Sequence, residues 1–203
     1  MVTDIYIVRH GNTFDPGDAP RRVGGRTDLP LVEEGRRQAA RLGAMFAGQG
    51  LQFRRCFVSP LARTRETATI ALAATAAPPE LETAPFLREI DYGPDENALE
   101  SDVRARIGEA ALAAWERDAT PPPGWLVNPE ALIADWRGFF ETQRGAQGPI
   151  LVVTSNGVAR FALPAAAVEA ETIKLATGAY GHFTLSPTSI ELRAWNVRPR
   201  TAS

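Results

Sequence analysis

Short apolar runs recur along the chain and predict buried β-strands. Residues 5–8, 53–58 and 150–154 are rich in β-branched and aromatic residues and too short for typical helices. Because apolar residues follow one another without alternation at 5–8 and 150–154, we expect these two strands to be covered on both faces. A short extended piece around residues 80–87 and two later runs, at 180–185 and 190–195, add further predicted strands.

Between these runs lie segments with helical periodicity. Residues 33–49 place Ala39, Leu42, Met45 and Phe46 on one stripe, and glycines at 48 and 50 end the pattern. A second helix is predicted from Pro60 to about residue 76, and a short one from 158 to about 164. Residues 12–30 are rich in Gly, Pro, Asp and Arg and predict a loop.

The segment 94–148 has a different character and predicts a helical hairpin inserted between sheet elements. Apolar residues recur every fourth position from Val103 to Trp115, which indicates one amphipathic helix. Asn128, Pro129 and Glu130 then form a typical helix start, with a capping residue, a first-turn proline and a first-turn acid. We expect the tryptophans of this segment to pack in its interior rather than to stack on a ligand.

This alternation of strands and helices predicts a layered α/β fold. The 203 residues suffice for one domain with a modest insertion. A net charge of −2 argues against a nucleic-acid partner held by bulk charge. The lone Cys56, in an apolar run, excludes an internal disulfide and predicts a core residue. Without a signal-peptide pattern or an apolar stretch of membrane-spanning length, we expect a cytoplasmic protein with no membrane partner.

Polar residues follow the predicted strands and begin the predicted helices. Arg9 and His10 end the first strand, and His10 is one of only two histidines. Arg63 falls in the first turn of the second helix, and Ser155 and Asn156 precede the helix after the strand at 150–154. Because ligands sit at the carboxyl edges of such sheets and helix starts favour anions, these positions predict a phosphate pocket.

Within that pocket the residue types suggest phosphoryl transfer. Arginine forks match phosphate oxygens, and nearby cations keep an imidazole neutral and nucleophilic. Glu89 is then a candidate proton donor for the leaving oxygen. Other interpretations stay open: Ser155 and Asn156 also suit plain helix caps, and Asn12 suits a loop residue as well as a pocket donor.

For His182 and for a group of three acids, a structural interpretation is favoured over a functional one. His182 lies in a predicted strand, where we expect a structural role. The acids Asp91, Asp95 and Glu96 resemble ligands of a hard cation, but a solvated turn is the favoured interpretation. We predict neither a metal nor a cofactor.

In its ordered motifs the chain resembles the histidine phosphatase superfamily, in the phosphoglycerate-mutase-like branch. The motifs are Arg-His-Gly at 9–11, Gly-Arg-Thr-Asp-Leu-Pro-Leu at 25–31, Ser-Pro-Leu-Ala-Arg-Thr-Arg-Glu-Thr-Ala at 59–68, Leu-Arg-Glu at 87–89 and the strand at 150–154 before a glycine-containing helix start. The resemblance implies a three-layer α/β/α fold with a mixed, mostly parallel sheet, and the insertion at 94–148 as a partial lid. It also implies His10 as the phosphorylated nucleophile, Arg9 and Arg63 as phosphate ligands and Glu89 as proton donor.

One departure from the family pattern bears on activity. The family carries a second histidine after the late strand, where this chain has Ser155. A hydroxyl donates one hydrogen bond without charge, and loss of one preorganised donor typically costs about 10²–10³ in rate. The expected function is therefore a weakened phosphatase acting on a small phosphorylated molecule. The alternatives are a non-catalytic phospho-ligand-binding protein and a phosphoglycerate-mutase-type phosphotransferase.

Overall fold

Six strands form one mixed sheet in the computed structural model, which describes residues 2–199. The strands are β1 (Thr3–Arg9), β2 (Arg55–Val58), β3 (Leu81–Thr83), β4 (Ile150–Thr154), β5 (Tyr180–Leu185) and β6 (Ile190–Val197). Their order is β3-β2-β4-β1-β5-β6; the first four are mutually parallel, and β5 and β6 join antiparallel. The predicted mixed, mostly parallel sheet is confirmed.

Helices cover both faces of the sheet. They are α1 (Glu33–Gly48), α2 (Ala62–Leu72), α3 (Glu100–Ile107), α4 (Glu109–Asp118), α5 (Pro129–Gln143), α6 (Asn156–Ala159) and α7 (Ala162–Ala165). Along β1 the side chains alternate: Tyr6 and Val8 join the core beneath α1 and α2, whereas Ile5 and Ile7 join the core beneath the later helices. The continuous apolar run arises because both faces are buried, which confirms the three-layer arrangement.

Several element boundaries differ from the prediction. The second helix begins at Ala62, not at Pro60, and the strand predicted from residue 53 begins at Arg55. The helix predicted across Val103–Trp115 is two helices, because Gly108 adopts a φ of +85° that breaks the helical ladder. The helix predicted at 158–164 is also two, and Pro164 lies within the first turn of the second, where its missing amide hydrogen costs nothing.

Packing of the insertion follows the sequence interpretation. The Asn128 side chain caps α5 by accepting from the Ala131 amide at 3.1 Å, as predicted. All three tryptophans of the insertion are buried, and Trp136 Nε1 donates to the Val158 carbonyl at 2.9 Å. Cys56 is fully buried as well, and burial raises the pKa of its thiol to about 12, which confirms a core role.

Within residues 2–199, no helix combines the length and the apolar character that crossing a bilayer requires.

Candidate active site

His10 lies at the carboxyl edge of the sheet with both ring nitrogens engaged. Its Nδ1 is 2.7 Å from the Gly11 carbonyl, which only accepts, and its Nε2 is 3.2 Å from Nε of Arg63, which only donates. These two partners fix the neutral tautomer with the proton on Nδ1. The lone pair on Nε2 accepts this hydrogen bond from Arg63, and it becomes the nucleophile of the ring once Arg63 donates to a ligand instead.

The surroundings of His10 keep it uncharged. Burial, followed by the charges of Arg63 and Arg9, lowers its pKa well below the usual value. Neutrality at physiological pH follows, as the sequence predicted from the neighbouring cations.

Backbone contacts bring three segments of the site together. β1 and β4 pair in parallel with Arg9 opposite Thr154, and the His10 amide donates to the Thr154 carbonyl at 3.0 Å. A Cβ at Gly11 would lie 2.3 Å from the Gly35 carbonyl oxygen, so only glycine allows the loop to pass α1 this closely. The Arg-His-Gly motif thus combines a nucleophile with the close approach that positions it.

Arg63 is fully buried and acts as a brace between the loop at 24–27 and the imidazole. Its Nη1 donates to the Thr27 carbonyl at 2.8 Å and its Nη2 to the Gly24 carbonyl at 3.2 Å. With Nε on His10, three of the five guanidinium N–H groups are used, and two remain for a ligand.

Arg9 borders the same cavity as His10. Its Nη1 donates to the Leu175 carbonyl at 3.0 Å. Its buried Nε has no partner among the residues that the structure describes. A buried cationic donor without a partner is costly, and a bound anion would satisfy it.

Glu89 is buried at the edge of the cavity. Its Oε1 accepts from the Ile90 amide at 3.0 Å and its Oε2 from the Gly157 amide at 3.3 Å. A Cβ at residue 157 would lie 2.3 Å from Oε1, so Gly157 is needed for this contact. Burial raises the pKa of Glu89 despite the opposing charges of Arg63 and Arg9, which favours a protonated carboxyl that can donate to a leaving group.

The remaining predicted ligands occupy different positions. Asn156 lines the cavity and accepts from the Leu175 amide at 2.8 Å through Oδ1, and Asn12 lines it while bonded to Gln38. Ser155 is fully buried at the cap position of α6, but its hydroxyl makes no capping hydrogen bond and has no partner within residues 2–199.

Both helix starts are less available to an anion than the sequence suggested. The Ala62 amide at the start of α2 donates to Oδ1 of Asp28 at 2.8 Å, so a side chain already occupies it. α6 has only four residues, too few aligned peptide dipoles for a strong terminal charge. Side chains must therefore supply most of the anion binding.

His182 lies on β5 with Nε2 2.9 Å from Asp4, and it is not among the described residues that line the cavity.

The cavity beside His10 has a volume of about 530 Å³ and includes residues that the sequence analysis did not single out. Those that matter below are Arg21, Arg22, Tyr92, Arg104, Trp115, Glu116 and Lys174. They come from the loop at 12–30, from the turn after Glu89, from α3 and α4 and from the segment before β5. Lys174 is the single lysine of the chain.

The acidic turn after Glu89 is not the solvated turn that the sequence suggested. Asp95 is buried and bonds to Arg106 and, at 2.7 Å, to Nε1 of Trp125. Oε1 of Glu96 accepts from the Gly24 and Arg26 amides and from the Thr27 hydroxyl, at 2.7–3.2 Å. Glu96 therefore holds the loop whose carbonyls brace Arg63, a role that local sequence patterns do not indicate.

Glu96→Ala is expected to destabilise the protein by about 2–3 kcal/mol, because several donors lose their acceptor at once. If the protein is catalytically active, kcat should also fall about tenfold as Arg63 loses its brace. Chemical unfolding and steady-state rates measure these effects, with the exposed Asp135→Ala as matched control. Equal stability and equal rates in the two variants would contradict this role.

Comparisons of the whole chain with known proteins identify its family. The family model of the histidine phosphatase superfamily (branch 1) matches residues 5–198, and the chain belongs to that superfamily.

Individual relatives carry two kinds of activity in their names. The 2,3-bisphosphoglycerate-dependent phosphoglycerate mutase of Rhizobium etli is 34% identical over 127 residues, which cover 61% of this chain and 59% of that protein. The chain thus spans about three fifths of the length of such curated relatives. A mycobacterial glucosyl-3-phosphoglycerate phosphatase (18% identity, TM-score 0.78, 97% and 100% coverage) and the α-ribazole phosphatase of Shigella flexneri (20%, 0.73, 98% and 99%) share the fold.

Proposed function

We propose that this protein is a phosphomonoesterase that hydrolyses a small phosphorylated metabolite through a phosphohistidine on His10. The observation that carries the proposal is the neutral imidazole, whose Nδ1 proton is held by the Gly11 carbonyl while Nε2 keeps its lone pair. A neutral nucleophile beside the buried Arg63 and the half-buried Arg9 suits attack on a phosphate dianion.

In the first step, His10 Nε2 attacks phosphorus and the ester P–O bond breaks. Arg9 and the two free N–H groups of Arg63 bind the phosphoryl oxygens, and Asn12 and Asn156 flank them. Glu89, whose pKa is raised by burial, acts as the proton donor to the leaving oxygen. In the second step, the oxygen of a water molecule attacks phosphorus while the Glu89 carboxylate takes a proton from that water. The P–N bond to His10 breaks.

Ser155 stands where the family's second histidine is expected. Its hydroxyl is buried without a partner in the described part of the chain, and although Ser155 does not itself line the cavity, the next residue, Asn156, does. We propose that this unpaired hydroxyl donates to a phosphoryl oxygen of a bound ligand. A single neutral donor stabilises the developing charge less than an imidazolium does, and we propose a correspondingly slow enzyme.

Two other functions compete with this one. A phospho-ligand-binding protein without turnover is favoured by the neutral Ser155. A mutase is favoured by the names of several relatives, but it must protect its phosphoenzyme from water. Lys174 and Arg104 at the cavity have side chains 54% and 56% exposed, an opening that favours hydrolysis.

Rapid-quench labelling tests the proposed function. With a panel of phosphate monoesters labelled at phosphorus, we expect release of inorganic phosphate and an acid-labile, base-stable phosphoprotein. Release of phosphate on every turnover excludes the mutase. Ester binding by calorimetry without phosphate release or a labelled protein would overturn the hydrolase and leave the binding function.

A further inference from the structure

The cavity contains more positive charge than one phosphate group requires. Arg9 lines it, Arg63 contacts His10 without itself lining it, and neither arginine forms an ion pair with a carboxylate among residues 2–199. Arg21, Arg22, Arg104 and Lys174, here called the cationic wall, line the remainder of the cavity. The charge that a ligand meets depends on which of these cations are already paired with carboxylates of the protein.

Two members of the cationic wall are paired. Arg22 contacts Glu100 at 2.5 Å and lies over the rings of Tyr92 and Trp125, at 5.3 and 5.1 Å. Arg104 contacts Glu109. These pairs leave little net charge for a ligand.

The other two members keep unmatched charge. Arg21 donates through Nη1 to the Asn97 carbonyl, and no carboxylate lies within ion-pair distance of it in the described chain. Lys174 Nζ is 3.9 Å from Glu116, but Glu116 also faces the buried Arg160 at 3.8 Å, so one carboxylate serves two cations.

Lys174 is also placed beside the phosphate position. The next residue, Leu175, accepts from Arg9 through its carbonyl and donates to Asn156 through its amide. The lysine side chain therefore begins one residue away from the contacts that hold two proposed phosphate ligands. His10 and Lys174 line the same cavity.

We propose that the substrate carries a second acidic group, a carboxylate or a second phosphate, that binds Lys174 with help from Arg21. The proposal rests on the function above and names its substrate class. A cavity of about 530 Å³ also has room for a body of sugar size between the two anions. Its lining is mostly charged and polar, so this body is hydrophilic.

Matched ester pairs test the proposal. Glycerol 3-phosphate and 3-phosphoglycerate differ in a carboxylate, as do glucose 6-phosphate and 6-phosphogluconate, and fructose 6-phosphate and its 1,6-bisphosphate differ in a second phosphate. We expect kcat/KM to favour the acid-bearing member of at least one kind of pair about tenfold. The preferred kind identifies the second group. The preference should shrink at about 0.5 M salt, because the interaction is partly exposed.

Lys174→Met should reduce the ratio of acid-bearing to neutral ester about tenfold, whereas Arg137→Met, an exposed cation on α5, should leave the ratio intact. Dissociation constants measured by calorimetry on the same pairs separate this proposal from the hydrolase. An acid preference in binding without turnover supports the second anion site and overturns the hydrolase. Equal turnover and binding across all pairs, insensitive to Lys174, overturn the site alone. Failure of every ester to bind overturns both.

Discussion

Asparagine in place of His10 is expected to lower phosphate release at least about 10⁴-fold and to abolish the labelled phosphoprotein. The amide group can still donate toward the Gly11 carbonyl, as Nδ1 does, but no nucleophilic nitrogen remains at the position of Nε2. Rapid-quench labelling and steady-state rates measure the two effects. Ester binding should survive, since Arg9 and Arg63 are retained.

His182→Asn is the matched control, because it removes the other histidine, which pairs with Asp4 and lies outside the cavity. Phosphate release by His10→Asn at the control's rate would show that turnover runs without this imidazole.

The pH dependence of stability provides a second readout for His10. The folded pKa of His10 lies well below the unfolded value of about 6.5, so wild type should lose stability relative to His10→Asn as the pH falls below that value.

Ser155→His should raise kcat by about 10²–10³, the second largest effect that we expect. An imidazolium at this position donates a charge-assisted hydrogen bond to the phosphoryl oxygens, whereas the present hydroxyl donates a neutral one. The gain should appear in kcat more than in KM, because the added charge acts most strongly as negative charge develops.

Ser155→Asn controls for added bulk with a neutral donor and should gain less than tenfold. Because Ser155 is fully buried, a larger side chain there strains the core, so thermal midpoints must accompany the rates. A folded Ser155→His protein with wild-type kcat would show that the second histidine is not what limits this chain. Ser155→Ala, which removes the hydroxyl, is expected to lose up to about tenfold in kcat.

Local patterns succeeded where local chemistry decides the structure. The strand predicted at 150–154 has the same bounds in the structure, because five consecutive apolar or β-branched residues have few alternatives to a buried strand. The cap at Asn128 agreed because its hydrogen bond spans only three residues. The interruption at Gly108 was missed because the four-residue apolar spacing continues across it and conceals the change in backbone direction.

Long-range contacts explain the rest of the differences at the site. Asp28 occupies the start of α2 from 34 residues away, and Glu96 holds the loop at 24–27 from about 70 residues away. Nothing in the local sequence around either acid distinguishes it from an acid that is exposed to solvent. Pairings of this kind depend on how the layers stack, which periodicity does not encode.

The sequence by itself determined the α/β class and the strand that leads into His10, and its motifs indicated the superfamily. Only the tertiary structure decided the tautomer of His10, the brace formed by Arg63 and the cations that face the rest of the cavity. The reason is physical: residue identity limits which interactions are available, whereas a hydrogen bond or a pKa depends on atoms that folding brings together from distant parts of the chain.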